Sequence, residues 1–395
     1  MRNDWKYSYF SEVYPIVMGK TPARADISLW DKKKETHNLW VSIADISVNE
    51  GKYILNTEEY VSKKAASKMR IVAKGSLLMS FKLTIGKMAF AGRDLFTNEA
   101  IIAIPDNGKY NLRFLYYYLS NYNWSTLTDG AEKVKGKTLN KTSIGKILLP
   151  ILSLSEQERI VALLDAEFEK IDSIKANAAS QLQAAKDLFQ AALKENLTPK
   201  EGWEKKTLGD LGEFSRGGNF TKADFVKSGI PCMHYGQIHM HFGVATDTPL
   251  SYLPLDFPKI KYAQKGDLII AITSEDDEGS CKCTAWIGEE NIAIGGHSAI
   301  YRHTLDPIFM SYFFRSPQFQ KAKLQYTHGF KVVEIKPSDI AKIDIDYPTT
   351  LKEQRDIVVI LDTLSDKVSR LQENYNNTIT LCNDLKQSLL KSIFA

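Results

Sequence analysis

Residues 156–165 read EQERIVALLD, and residues 353–362 read EQRDIVVILD. The phrases lie 197 positions apart, and the same offset puts Lys170 on Lys367, Asn177 on Asn374, Asp187 on Asp384, Gln190 on Gln387 and Lys194 on Lys391. One unbroken register over about forty residues marks a duplicated element, and internal repetition has to be settled before a fold is assigned. Upstream the likeness thins but persists. Ser143-Ile144-Gly145-Lys146-Ile147 lies over Asp339-Ile340-Ala341-Lys342-Ile343, and Lys74-Gly75-Ser76-Leu77-Leu78 lies over Lys265-Gly266-Asp267-Leu268-Ile269. Asp45-Ile46 falls on Gln237-Ile238, and Trp5 on Trp203. The chain thus reads as a unit, a helix, a second unit and a second helix. The helices are alike while the units share only framework positions, so what the units recognise differs.

The spacing predicts one long helix over 155–195. Ser155 with Glu158 makes a capping box. Apolar residues recur at Ile160, Leu164, Phe168, Ile171, Ile174, Ala178, Leu182, Ala185, Leu188 and Ala192, a narrow seam of coiled-coil type. Pro199 and Gly202 end it. The second helix, about 352–393, repeats the seam at Ile357, Leu361, Val368, Leu371, Tyr375, Ile379, Cys382, Leu385 and Leu389. Each helix supplies the other with a partner, and each would be about 60 Å long.

The units read as strand-rich α+β domains. KGSLLMSF, KGDLIIAITS, EAIIAIP and SAIYRH are strand-like, while NLRFLYYYLSNYNW and PIFMSYFFRSPQFQ read as short helices whose aromatics belong to cores. The expected architecture is α+β: an internal tandem duplication in which two similar domains, 1–152 and 201–350, are joined by long antiparallel coiled-coil helices at 153–200 and 351–395.

With 395 residues, 44% hydrophobic and 25% charged, the composition is ordinarily globular. No stretch approaches the roughly 18 apolar residues of a membrane span, so a soluble cytoplasmic protein is expected. Residues 1–152 carry 23 Lys+Arg against 14 Asp+Glu, whereas 201–350 carry 16 against 19. The first unit is basic enough to attract a polyanion. The second would need a local basic face, with SEDDEGS (274–280) a solvated loop, or else held away from phosphates or aimed at a base.

Catalytic constellations are missing. CKC at 281–283 with His297 and His303 lacks zinc-site spacing, which leaves reduced structural thiols. GAEKVKGKT at 130–138 has five residues, not four, between its glycines and no strand leading in, so it is no phosphate-binding P-loop. It reads as a loop presenting Lys133, Lys135 and Lys137 to phosphates, or as a solvated lysine loop. HYGQIHMH (234–241) has no carboxylate or cysteine at a convincing spacing. Its histidines are presented to a ligand or satisfied within a turn.

KILLPILSLSEQERIVALLDAEFEKIDSI and KIDIDYPTTLKEQRDIVVILDTLSDKVSRL, with GSLLMSFKLTIGK, TNEAIIAI and GFKVVEIKPSDIAKI, resemble the specificity (S) subunits of Type I restriction–modification systems over essentially the whole chain. Two departures are a second helix approached through one residue fewer and a net acidic second unit. The resemblance implies a non-catalytic subunit whose two target-recognition domains read the halves of a bipartite, asymmetric duplex DNA site. It also implies two methyltransferase (M) subunits docked on the helices and restriction (R) subunits beside them. Cofactors are then expected only in those partners: S-adenosylmethionine, ATP and Mg2+.

The resemblance fixes no base-reading residues. Chemistry nominates Lys32, Lys33, Lys34, Lys133, Lys135, Lys137, Arg216, Lys282 and Lys331 as cations for phosphates or guanine, with Tyr235 and the amide of Gln237 for bases. Glu156, Gln157, Arg159, Glu353, Gln354 and Arg355, in the repeated phrase, are the candidate partner contacts. The rival readings are an enzyme such as a nuclease or methyltransferase, whose motifs are missing, a purely structural coiled-coil tether, and a two-domain DNA-binding adaptor for a different effector.

Overall fold

A computed structural model describes residues 2, 4–127, 139–329 and 332–395. The chain folds as two units, residues 1–177 with 378–395 and residues 178–377. Each of the two long helices, Leu154–Asn196 and Leu351–Phe394, therefore contributes one part to each unit.

In the first unit, strands Tyr53–Ile54, Met88–Ala91, Leu77–Ser80 and Ile101–Ile104 form a sheet in that order, and Glu59–Tyr60, Leu39–Val41 and Phe96–Thr97 form another. The second unit repeats the plan with Ala245–Thr246, Cys283–Trp286, Leu268–Ala271, Ser298–His303 and Gly212–Arg216, and with Ser251–Leu253, Ile230–Met233, Ile292–Ile294 and Tyr262–Ala263. Parallel pairing recurs at matching places. Tyr53 faces Phe90 as Ala245 faces Ala285, and Trp40 faces Phe96 as Cys232 faces Ala293. Leu77–Ser80 and Leu268–Ala271 are buried at every position, as central strands covered on both faces must be. The turn before each needs a left-handed residue. Gly75 (φ +87°) and Gly266 (φ +94°) supply it where a Cβ would meet nothing, so backbone freedom and not space fixes the residue type.

The aromatic-rich stretches are helices, Leu112–Ser120 in one unit and Pro307–Arg315 followed by Pro317–Lys323 in the other. Phe114, Tyr117 and Tyr118, like Phe309, Tyr312 and Phe314, are buried in the cores.

Both long helices bury the same repeat positions. Ile160, Leu164, Ile171, Ala185 and Leu193 are buried, as are Ile357, Leu361, Val368, Cys382 and Leu390, each 197 residues on; buried Ala178 answers to partly buried Tyr375. The seam is narrower than its sequence suggests. Ile174 and Leu188, with their equivalents Leu371 and Leu385, are 40–54% exposed. From Leu164 to Ala185 the buried positions step by seven, so one side chain per two turns is fully inside; of the apolar positions beside them Phe168 and Leu182 are partly covered while Ile174 and Leu188 turn outward. In the first unit Lys386 pairs with Asp172 (2.5 Å) and Lys175 donates to Asn383 (2.8 Å), so the two segments run antiparallel there.

A buried glutamine ties each helix to its own domain. Gln157 (0% exposed) accepts from the backbone N–H of Asn111 (2.8 Å) and donates to the carbonyls of Lys109 (3.1 Å) and Leu152 (3.0 Å). Gln354 (1%) accepts from the N–H of Asp306 (2.7 Å) and donates to the carbonyl of Pro348 (2.8 Å). Asn111 and Asp306 are themselves the N-caps of the aromatic helices. The duplicated Asp165 and Asp362 add a second tie, each accepting from a helix tyrosine, Tyr117 or Tyr312.

An ionised glutamate in place of either glutamine keeps the shape but loses the donor. Gln157→Glu is expected to cost about 2–4 kcal/mol at neutral pH, since a buried charge then faces carbonyl oxygens. Facing acceptors raises that glutamate's pKa in the folded state above its unfolded value near about 4.3. The native interaction is therefore present below the unfolded pKa and lost as pH rises through the folded one. Denaturant melts of Gln157→Glu and Gln354→Glu should approach the parent protein near pH 4; equal melts at pH 7 would contradict the tie.

Candidate nucleic-acid interface

In the first unit, Lys32 and Lys33 are exposed on a turn that follows Asp31. The Asp31 carboxylate accepts from the N–H of Thr36 (2.7 Å), which holds it below the usual carboxylate range. Lys34 adopts a left-handed backbone (φ 57°), and its Nζ donates to the carbonyl of Thr57 (3.3 Å) and lies 5.3 Å from the Tyr60 ring. Lys32 and Lys34 line a hollow of about 370 Å³ with Arg24, Trp30, Glu59 and Tyr60. Arg24 is a cation that the sequence reading missed. Its guanidinium stacks 4.2 Å from the Trp30 ring and 4.8 Å from the Trp40 ring and pairs with Glu59. No local spacing marks it, because the tryptophans reach it through the fold. Lys133, Lys135, Lys137 and the stretch GAEKVKGKT lie outside the described residues, as does Lys331.

In the second unit the nominated residues divide. Arg216 is exposed and paired with Glu334 (2.5 Å). Gln237 does not have a free amide. It completes a capping box, accepting from the N–H of His234 (2.9 Å) while its Nε2 donates to Ser251 (3.1 Å). Asp45 does the same for Ser42 in the first unit (2.8 Å), so the helix turn imposes the side chain at both positions. The Lys282 ammonium donates to the carbonyl of His239 (2.6 Å), and burial lowers its pKa. It lines a cleft of about 820 Å³ with His239, Asp276, Glu278 and Arg315. The acidic residues 275–278 are exposed, and two of them share that cleft.

Cys281 and Cys283 are buried and unpaired with each other, and desolvation raises both thiols, Cys281 to about 12. Among the described residues no group of three or more His, Cys, Asp or Glu side chains is placed to hold a metal ion, and no helix is long and apolar enough to cross a membrane.

The repeated helical phrase is divided too. Glu156 and Arg159 pair with each other on the surface (2.8 Å), Glu353 accepts from the Trp203 indole (2.9 Å), and Arg355 lies 3.5 Å from Asp306. Gln157 and Gln354, nominated as partner contacts, are corrected to internal ties. Their amides are spent on the backbone of their own domains, and they present no surface. Among their exposed charged residues the helices also present apolar side chains. The first unit exposes Leu163, Ile174 and Leu385, and the second exposes their repeat equivalents Ile360, Leu371 and Leu188. Leu163 and Ile174 are eleven residues apart, three turns plus about 20°, and so share a helix face, as do Ile360 and Leu371. Asking which seam positions exceed one per two turns would have found four of these six.

A family profile described as the Type I restriction modification DNA specificity domain matches residues 2–184 and 200–381. The chain is 22% identical over 296 residues to the Type I restriction enzyme MjaIX specificity subunit of Methanocaldococcus jannaschii, an alignment covering 69% of this chain and 67% of that protein. It is 23% identical over 324 residues to the Type I restriction enzyme EcoBI specificity subunit of Escherichia coli, covering 72% and 65%. The match thus spans about two thirds of the length of these relatives. In fold, it is similar to a chain from a structural study of complex assembly and conformational transition of the type I R-M system (TM-score 0.74, 19% identity, 100% of this chain and 98% of that one). It is also similar to the HsdS subunit from Thermoanaerobacter tengcongensis (TM-score 0.53, 18% identity, 100% and 97%). With both copies of a duplicated frame matched by the one profile, the chain belongs to the family of Type I restriction–modification DNA specificity subunits.

Proposed function

We propose that each unit reads one half of a bipartite, asymmetric duplex DNA site, and that the chain directs adenine methyltransferase and ATP-dependent restriction subunits to it without chemistry of its own. The observation that carries this reading is a frame repeated down to single hydrogen bonds around surfaces that are not repeated: the same glutamine ties and capping boxes surround a basic first unit and an acidic second one. A repeated frame with different surfaces suits two different sequences. S-adenosylmethionine, ATP and Mg2+ then belong to the partners. The equivalent apolar sets Leu163, Ile174, Leu385 and Ile360, Leu371, Leu188 support two copies of one methyltransferase partner, each meeting the same chemistry. The reading places this chain with DNA, among water-soluble partners.

Exchanging residues 203–345 for the corresponding unit of a relative, in cells that also make the methyltransferase partner, is expected to change one half of the methylated motif and leave the other. A methylome in which both halves change, or neither, contradicts independent reading; co-purification with an unrelated effector instead would favour the adaptor.

Phosphate contacts release counterions, so the slope of log affinity against log salt counts them at about 0.9 each on duplex DNA. Replacing Lys32, Lys33 and Lys34 together by Gln should flatten that slope by about 2 to 3 in a titration of the assembled complex, and an unchanged slope removes these lysines from the interface.

A further inference from the structure

The register of the two sheets aligns one position that sequence similarity leaves obscure. In the first unit Ser80 pairs with Ile101 and the N–H of Phe81 donates to the carbonyl of Ala100 (3.0 Å). In the second, Ala271 pairs with Ser298 and the N–H of Ile272 donates to the carbonyl of His297 (3.1 Å). Ala100 and His297 therefore hold the same backbone site. Ala100 is buried, whereas the imidazole of His297 is exposed.

The surroundings of His297 sort three histidines by what each has left to offer. His234 Nδ1 accepts from the N–H of Gly236 (3.1 Å), so it is unprotonated and spent on the turn. His239 Nε2 faces the carbonyl of Thr273 (3.1 Å), which only accepts, so that nitrogen carries its hydrogen and is spent as well. His297 differs. Its Nδ1 meets the hydroxyl of Thr273 (3.1 Å), which fixes the ring, and its Nε2 takes no partner among the described residues. Thr273 itself is held in a strand, Thr273–Ser274, paired with Val333–Glu334. The Tyr235 ring lies 5.1 Å from that of His297, 4.4 Å from His234 and 6.0 Å from His239, and its hydroxyl has no partner among the described residues. His297 is thus anchored at its carbonyl and at one ring nitrogen, with the other ring nitrogen open. Such a side chain is pre-positioned to recognise a ligand, since its rotamer is fixed before binding.

We propose that His297, backed by Tyr235, reads a purine edge in the half-site recognised by the second unit. An imidazole N–H matches N7 of a purine or O6 of guanine, the acceptors that the major groove displays. A hydrogen-bonding side chain also suits a unit in net negative balance, because readout of a base edge needs no excess of cations, and Arg216 remains for the backbone. The alanine at the matching site of the first unit leaves that unit without this contact, as two units that read different sequences require. The inference rests on the reading of each unit as a half-site reader and adds the residue that specifies one base pair.

The test is the methylome of cells making the full chain with its methyltransferase partner. Wild type is expected to give a bipartite motif. His297→Ala should relax one purine position in one half by about tenfold or more, leaving the other half intact, and His297→Gln, whose amide nitrogen reaches the place of Nε2, should restore part of the preference. Tyr235→Phe, which keeps the ring packing, should weaken the same or the adjacent position, and thermal melting of each purified variant with its partner separates loss of reading from loss of fold. An unchanged motif in His297→Ala and Tyr235→Phe overturns the assignment while leaving half-site reading intact, as does relaxation of both halves. Should His297→Ala unfold, the motif of Tyr235→Phe decides alone. A wild-type motif that is not bipartite overturns the broader reading.

Discussion

Each long helix is joined to its own unit through one buried amide. A glutamine at the start of a long helix is buried, and its oxygen and nitrogen are both satisfied by the backbone of its own unit. An apolar side chain could fill the same space with as much area buried, but it would leave a helix-capping N–H and one or more carbonyls without partners. Hydrogen bonds are also directional where hydrophobic contact is not. The amide therefore fixes the angle at which a helix leaves its domain, and the aromatic helix capped by Asn111 or Asp306 inherits that angle. The aspartate–tyrosine bond two turns further along each helix adds a second fixed point, and two points define a direction.

The division of the seam follows from the same arrangement. The opening positions of each helix, Ile160 and Leu164 or Ile357 and Leu361, are buried in domain cores. Further on, small residues such as Ala178 and Ala185 carry the burial, so the contacting face is narrow and the larger apolar side chains beside it stay outside. Exposed apolar surface of this kind is a mark of interaction sites.

Much of this architecture can be read from the letters, and the reasons for the rest are physical. The duplication, the two helices and the strands KGSLLMSF and KGDLIIAITS need only periodicity and an offset. The roles of polar residues on those elements do not follow from periodicity. Gln157 and Gln354 occupy the helical face opposite no obvious neighbour in sequence, so they look like contacts for another protein, and only the fold brings Asn111 and Asp306 beside them. Gln237 was legible in principle: His234-Tyr235-Gly236-Gln237 has the spacing of Ser42-Ile43-Ala44-Asp45, and a capping box claims the fourth residue before any ligand does. Arg24 over two tryptophans depends on how the fold brings Trp40 to it, and the match of His297 to Ala100 depends on strand register, which no local pattern encodes. The acidic balance of the second unit was read correctly as a number and says little about its surface, because charge averaged over a domain does not locate the faces on which it sits.

The interleaving of the units has a consequence for the order in which the chain acquires its shape. The second unit is one continuous stretch, 178–377, while the first is completed only by residues 378–395. Leu390 and Phe394 belong to the first unit's core, where the Phe394 ring meets Trp5 (6.2 Å), Phe114 (5.8 Å) and Tyr118 (5.6 Å). A ribosome therefore delivers the keystone of the earlier-made unit after the whole of the later one. The usual order along a nascent chain is amino-terminal domain first; here the core of the amino-terminal unit lacks Leu390 and Phe394 until the last residues are made, which leaves an apolar cleft open in the interval. During that interval a chaperone, or another copy of the missing helix, competes for the cleft, and truncation at the far end of the chain injures the half that was translated first.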